Sequence, residues 1–308
     1  MPSVSPPAPL KAFTLALIQL GNIGSNKAAN LRHAREMILK AARAEGRSKK
    51  PDLIVLPECF NSPYGHTHFP NYAEDIGYYP GKPYDVGTSE SESVQMLSSV
   101  AKEISTWLIG GSIPERDVDT HKLYNTCTVY NPNGDLVAMH RKVHLFDIDI
   151  PGKITFKESE TLTGGIKLNS FDTEFARIGL GICYDIRFPE MAMISARQGC
   201  HVLVYPGAFN LTTGPLHWEL LQRSRAVDNQ VFVSMCSPAR DLSAEYHAWG
   251  HSMVLDPMGA ILSEAGDGEE ITYAEIDPQV MEDTRAGIPV TVQRRFDVYS
   301  QVTDLSNL

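Results

Sequence analysis

The sequence has no apolar run near the roughly 20 residues that a membrane-spanning helix requires, so no membrane partner is expected. It is also short of positive charge. Against 37 Asp and Glu there are 27 Lys and Arg, and the net charge of −10 would repel a phosphate backbone, so no nucleic-acid partner is expected. The one basic cluster, Arg47-Ser-Lys-Lys50, is too small to override that and reads as a solvated loop. Cysteine is sparse and odd in number, five in all at 59, 127, 183, 200 and 236, which argues against a disulfide framework. The expectation is reduced thiols in the cytoplasm, with a mitochondrial share left open. Met1-Pro-Ser-Val-Ser-Pro-Pro-Ala-Pro9 lacks the charged start and apolar core of a secretory signal, and residues 1–11 read as a disordered tail. No Gly/Ser-rich linker interrupts the rest. Residues 12–308 are therefore expected to form a single domain, with 278–308 as a C-terminal arm lying on the surface or on a partner subunit.

What is present is an ordinary globular composition, 43% hydrophobic and 21% charged over 308 residues. Apolar runs at Thr14–Leu20, Leu53–Leu56 and Thr106–Gly110 read as buried strands, separated by helical periodicity over Asn26–Ala44 and Ser93–Ile104. Leu123–Tyr130 and Asp135–His140 flank Asn131-Pro-Asn-Gly134, a hairpin signal. The second half repeats this order. Strands are expected at Arg177–Ile182, Val202–Tyr205 and Val231–Met235, with helices near 190–198 and over His217–Asp228. A second hairpin follows around Asp256-Pro-Met-Gly259, then a last strand at Ile271–Ile276. Two halves of one design suggest two sheets related by a pseudo-twofold, packed face to face with helices outside, each sheet buried on both faces.

Chemistry concentrates at Cys183. Ala176-Arg-Ile-Gly-Leu-Gly-Ile-Cys183 is a short buried strand, and Pro189-Glu190 starts a helix soon after. A nucleophile at such a break is presented outward beside backbone N–H groups that can hold an oxyanion. Gly179 and Gly181 let neighbours pack close to the strand. A free cysteine is more often a small buried hydrophobe, so the reading needs a base and a charge stabiliser. Glu58 ends the second strand beside Phe60 and Tyr64, Lys142 follows the hairpin, and Glu158 lies in Phe156-Lys-Glu-Ser-Glu160. Each alone is as well read as a salt-bridged or solvated group. Together they can form a hydrolytic set without histidine. Unperturbed thiol and carboxyl pKa values differ by about 4 units, so moving the thiol proton to a carboxylate costs about 6 kcal/mol. Burial of the glutamate raises its pKa and a nearby lysine lowers that of the thiol, which narrows the gap.

Three blocks, Leu56-Pro-Glu-Cys-Phe-Asn-Ser-Pro-Tyr64, Arg141-Lys-Val-His-Leu-Phe-Asp147 and Gly181-Ile-Cys-Tyr-Asp-Ile-Arg-Phe-Pro-Glu190, resemble the signatures of the nitrilase (carbon–nitrogen hydrolase) superfamily. The stretch Tyr205–Gln230 looks like its omega-amidase branch. The resemblance spans roughly residues 12–300 and omits the N-terminal tail and the Arg43–Pro51 loop. It implies a four-layer α-β-β-α sandwich of the α/β class and a homodimer that stacks sheets across two subunits. It implies that Cys183 is the nucleophile and forms a thioester, and that Glu58 is the general base and then the acid toward ammonia. Lys142 and the Tyr184 N–H would hold the oxyanion, and Glu158 would orient Lys142. No metal and no organic cofactor is implied. The substrate would be a short dicarboxylate monoamide such as 2-oxoglutaramate or 2-oxosuccinamate.

Candidates for the substrate carboxylate are Tyr64, Arg187 and Thr213, although Arg187 could instead pair with Asp185 or Glu190. Four other readings stay open. They are a deaminated glutathione amidase with the same catalytic set, a nitrile hydrolyser, a Cys–His protease using His144, His217 or His251, and a non-catalytic binding protein on a hydrolase fold. His66 and His68 have metal-like spacing without an evident third ligand.

Overall fold

The computed structural model describes residues 9–299. Most of the expected N-terminal tail and the last residues of the expected arm lie outside that range. In chain order the elements are β1 (Phe13–Gln19), α1 (Lys27–Arg43), β2 (Leu53–Val55), a one-turn α2 (Phe69–Tyr72), α3 (Glu92–Ile104), β3 (Trp107–Arg116), β4 (Leu123–Tyr130) and β5 (Leu136–Arg141). There follow β6 (Asp147–Ile150), β7 (Ile154–Lys157), β8 (Asn169–Asp172), β9 (Arg177–Leu180), α4 (Pro189–Arg197), β10 (Val202–Pro206), α5 (Gly214–Asn229) and β11 (Phe232–Cys236). The chain closes with β12 (Met253–Leu255), β13 (Ile261–Glu264), β14 (Glu270–Ile276), α6 (Pro278–Gly287) and α7 (Val290–Gln293).

Two six-stranded sheets result, ordered β14-β1-β2-β3-β4-β5 and β8-β9-β10-β11-β12-β13. In each, three parallel strands carry an antiparallel hairpin on one side and one antiparallel strand on the other. This is the pseudo-twofold that the element order suggested. Because β14 closes the first sheet, the C-terminal half reaches back across the repeat.

Strand periodicity decides the layers. In β1, Leu15 and Leu17 face one way and join a core shared with the second sheet, while Ala16 and Ile18 face α1 and α3. Leu31, Ala34 and Ile38 of α1 and Val94, Leu97 and Val100 of α3 complete that outer layer. Ala192 of α4 and Trp218 and Ala226 of α5 cover the other sheet. The order is therefore α-β-β-α. Both hairpin turns are built alike. Asn131 Oδ1 accepts the N–H groups of Asn133 and Asp135, and Asp256 Oδ1 those of Met258 and Ala260.

Three features were not legible. The β6–β7 hairpin alternates polar and apolar residues, but over only four residues a strand and with no side chain fully buried, which is too short a pattern to set it apart from a loop. The expected arm begins instead with a docked helix, α6, whose Met281 enters the core. Two adjacent apolar residues packed inward, Val280 and Met281, leave little periodicity to read. Third, β3 does not stop at Gly110. A register shift between Ile109 and Ser112 carries it on to Arg116. Gly111 makes the shift with φ +64°, and a Cβ there would lie 2.1 Å from the Pro57 carbonyl oxygen, on the peptide that leads into Glu58. Gly111→Ala is expected to destabilise the fold by about 2 kcal/mol or more, as read by the urea midpoint.

Candidate active site

Four turns deliver the polar groups to one place. Glu58 stands just past β2, where Cys59 takes φ +52° and bends the chain. Lys142 is the residue after β5, its N–H donating to the Asn125 carbonyl at 2.8 Å. Glu158 opens a tight turn after β7. Cys183 follows β9 with φ +47°, starting a turn of 3-10 helix that Pro189 converts into α4. A non-glycine residue in that region stores strain, as a sharp elbow that turns a side chain outward does. The glycines before it act as expected. A Cβ at Gly179 would meet Leu203 at 2.7 Å, and one at Gly181 the Tyr205 ring at 2.4 Å.

The groups meet. Lys142 Nζ donates to Glu58 Oε1 at 3.0 Å and to Glu158 Oε1 at 2.9 Å. Asn125 Nδ2 donates to Glu58 Oε1 and the Ala208 N–H to Glu58 Oε2, both at 2.8 Å. The Phe146 N–H donates to Glu158 Oε2 at 2.7 Å, and Tyr64 OH reaches Glu158 Oε1 at 3.4 Å. The side chains of Glu58, Lys142 and Glu158 are fully buried, and Cys183 beside them is 2% exposed. No acceptor claims the Tyr184 N–H among the described residues.

Burial governs the charges. It pushes the Glu58 carboxyl above its ordinary range, opposed by Lys142 and reinforced by Glu158. Burial also works against the Lys142 ammonium, but Glu158 and Glu58 overcome it and hold its pKa well above the usual lysine value. The Cys183 thiol is pushed well up, by burial first and then by Glu58 and Glu158. Lys142 does lower it, as expected, yet the ammonium is shared by two carboxylates and is outweighed. The resting site is thus a neutral thiol beside a lysine ammonium that two carboxyl groups share. Passing the thiol proton to Glu58 moves one negative charge from oxygen to sulfur and leaves the buried total unchanged. A free thiolate would add a second buried negative charge.

A cavity of about 360 Å³ reaches Glu58, Tyr64, Ala208 and Tyr246. The Tyr64 and Tyr246 rings lie 4.3 Å apart, and Cys183 and Lys142 do not line the cavity wall. Arg187 has no carboxylate partner among the described residues. Its guanidinium lies 4.8 Å from the Phe209 ring and 5.4 Å from that of Tyr184, with Nη1 3.1 Å from His217 Nδ1. Its Nε is buried without a partner, and the Cys183 thiol is among the groups that act on its charge. The alternative ion pair with Asp185 does not form, because Asp185 holds His140 and His144. Thr213 is placed differently from Tyr64. Its hydroxyl donates to Asn210 Oδ1 at 3.2 Å at the start of α5, and it does not line the cavity.

Each histidine proposed as a base is committed elsewhere. His144 binds Asp185 at 2.8 Å, His217 contacts Arg187, and His251 Nδ1 lies 3.2 Å from Glu264. His66 packs edge-on to Phe156 while His68 Nε2 lies 3.2 Å from Glu245. Asn125, Tyr246 and the N–H groups of Phe146 and Ala208 escaped the sequence reading. Backbone donors leave no trace in side-chain identity.

A family model described as carbon–nitrogen hydrolase matches residues 14–286. A Mus musculus protein named omega-amidase NIT2 is 55% identical over 291 residues, covering 94% of this chain and 98% of the relative. A Saccharomyces cerevisiae protein named omega-amidase NIT3 is 54% identical over 288 residues, 94% and 95% of the two chains. The crystal structure of Saccharomyces cerevisiae Nit3, titled a member of branch 10 of the nitrilase superfamily, superposes with a TM-score of 0.82 at 50% identity, covering 93% of this chain and 97% of that one.

Proposed function

Since the chain belongs to the carbon–nitrogen hydrolase family, we propose that it is an omega-amidase, releasing ammonia from the terminal amide of short dicarboxylate monoamides through a thioester on Cys183. The observation that carries this is the Lys142 ammonium held between Glu58 and Glu158, 3.0 and 2.9 Å away, beside the buried Cys183 thiol.

The geometry supports the following sequence. The thiol sulfur attacks the amide carbon as Glu58 takes its proton. The new oxyanion is met by Lys142 Nζ and the unclaimed Tyr184 N–H. Glu58 returns the proton to the amide nitrogen, the C–N bond breaks and ammonia leaves, giving the thioester. Glu58, again a base, then deprotonates a water that attacks the thioester carbon, which restores the thiol and frees the dicarboxylate. Glu158 keeps Lys142 charged and aimed. Arg187, a half-buried side chain without a carboxylate partner that stands behind the cavity wall, anchors the substrate's free carboxylate, with Tyr64 lining the approach. Thr213 joins them only if its bond to Asn210 is exchanged.

The rival within the family, an amidase for deaminated glutathione, needs the same catalytic groups. Comparing kcat/KM for 2-oxoglutaramate and for deaminated glutathione separates them, and a preference for the peptide would retire the omega-amidase reading.

We place the enzyme in the cytoplasm, with room for a mitochondrial share. All five cysteines are free, which suits a reducing compartment, and no helix among the described residues is long and apolar enough to cross a membrane. We also propose a homodimer. Leu216, Leu220 and Val227 form an exposed apolar stripe along α5, next to exposed Met258. Stacking across subunits would then run through this outer helix layer. Leu220→Glu is expected to shift the mass seen by light scattering from a dimer to the 34.0 kDa monomer. An unchanged mass would rule this face out.

A further inference from the structure

We propose that Asp185 is a positioning residue for this reaction, one buried carboxylate that ties the turn carrying Cys183 to the segment carrying Lys142. Its Oδ2 accepts the Ile182 N–H at 3.0 Å, the Val143 N–H at 3.4 Å and His140 Nε2 at 3.2 Å. Its Oδ1 accepts the His144 N–H at 2.9 Å and His144 Nδ1 at 2.8 Å. Ile182 directly precedes the nucleophile, and Val143 and His144 directly follow the lysine. No other carboxylate among the described residues accepts backbone N–H groups from both of these stretches.

The clamp is itself oriented. Asn169 Nδ2 lies 3.2 Å from His140 Nδ1, and an amide NH₂ can only donate. His140 Nδ1 is therefore the acceptor, and Nε2 carries the N–H that Asp185 receives. Asn169 sits on β8, which pairs with the strand leading to Cys183. The donors overcome the cost of burial and hold the Asp185 carboxyl well below the usual range, so it stays ionised. The same bonds hold the strained Cys183 conformation, which persists only where its surroundings over-determine it. Nothing in the proposed chemistry requires Asp185 to touch substrate.

The inference rests on the omega-amidase reading, so its test carries one readout that does not involve an amide. Asp185→Asn keeps the shape but turns one oxygen into a donor. It must then face either the two His144 groups or the set of Ile182, Val143 and His140. With active sites counted by thiol titration, kcat on 2-oxoglutaramate is expected to fall about 100-fold per site with KM within twofold, the scale of a 1 Å misplacement. The second-order rate of Cys183 modification by iodoacetamide, mapped by peptide mass, should fall in parallel. Asn169→Ala, half-exposed on a strand and easily tolerated, releases the His140 orientation, and a several-fold loss of kcat is expected. If folded Asp185→Asn keeps wild-type kcat per site and thiol reactivity, or, should it not fold, if Asn169→Ala keeps both, the positioning role is overturned. Failure of the wild-type protein to turn over the amide, with thiol rates changed as expected, would instead overturn the substrate reading alone.

Discussion

Replacing Cys183 by alanine is expected to cut ammonia release from 2-oxoglutaramate by 10⁵- to 10⁶-fold, the scale on which loss of a nucleophile removes a covalent route. The fold should persist, because the side chain is 2% exposed and losing one sulfur is a small change to the core. Glu58, Lys142 and Glu158 still hold one another without it. A coupled ammonia assay on folded protein, checked by circular dichroism, measures the effect. Equal release by variant and wild type would mean a binding protein on a hydrolase scaffold. None of the polar groups such a protein would be free to lose has been lost from this site.

Glu58→Gln is expected to lower kcat by about 10³- to 10⁴-fold, since the proposed mechanism uses this one residue as base and acid in both halves of the reaction. The variant keeps an oxygen for Lys142 and Asn125 but cannot take the thiol proton. The pH profile gives a second signature. Burial raises the Glu58 pKa, so the acid limb of kcat/KM in the wild type lies above the 4.5 of an ordinary glutamate, and activity falls as pH drops through it. That limb should vanish in the variant. The sign for stability is opposite to that of a salt-bridged carboxylate. The folded state binds the Glu58 proton more tightly than the unfolded chain, so this contribution favours folding at low pH and is lost as pH rises through the folded pKa. A Cys–His mechanism predicts a mild Glu58→Gln and an inactive His144, His217 or His251 variant. The partners of those histidines argue against it.

The layered fold was legible because both kinds of periodicity are strong here. Strands buried on both faces are continuous apolar runs, and the repeated Pro-x-Gly turns mark the two hairpins at equivalent places. The four candidate residues were legible at the ends of elements, within blocks specific enough to name a family, and the structure brings them together. Their energetics were not. Sequence shows that Lys142 can lower a thiol pKa. Only the geometry shows that two carboxylates claim the ammonium and that burial wins. Thr213 illustrates a second limit, since a hydroxyl at a helix start can be used by the local turn before any ligand arrives. Asp185 illustrates a third. It stood in the sequence as a possible ion-pair partner for Arg187, while its role as an acceptor for backbone N–H groups from two distant segments exists only in three dimensions.

The most direct test is the intact mass of the enzyme quenched in acid during turnover of 2-oxoglutaramate, followed by peptide mapping. The account predicts an adduct equal to the substrate less ammonia, on Cys183 and labile to hydroxylamine. An adduct on another residue, or steady turnover with no adduct under conditions that trap thioesters, would contradict it.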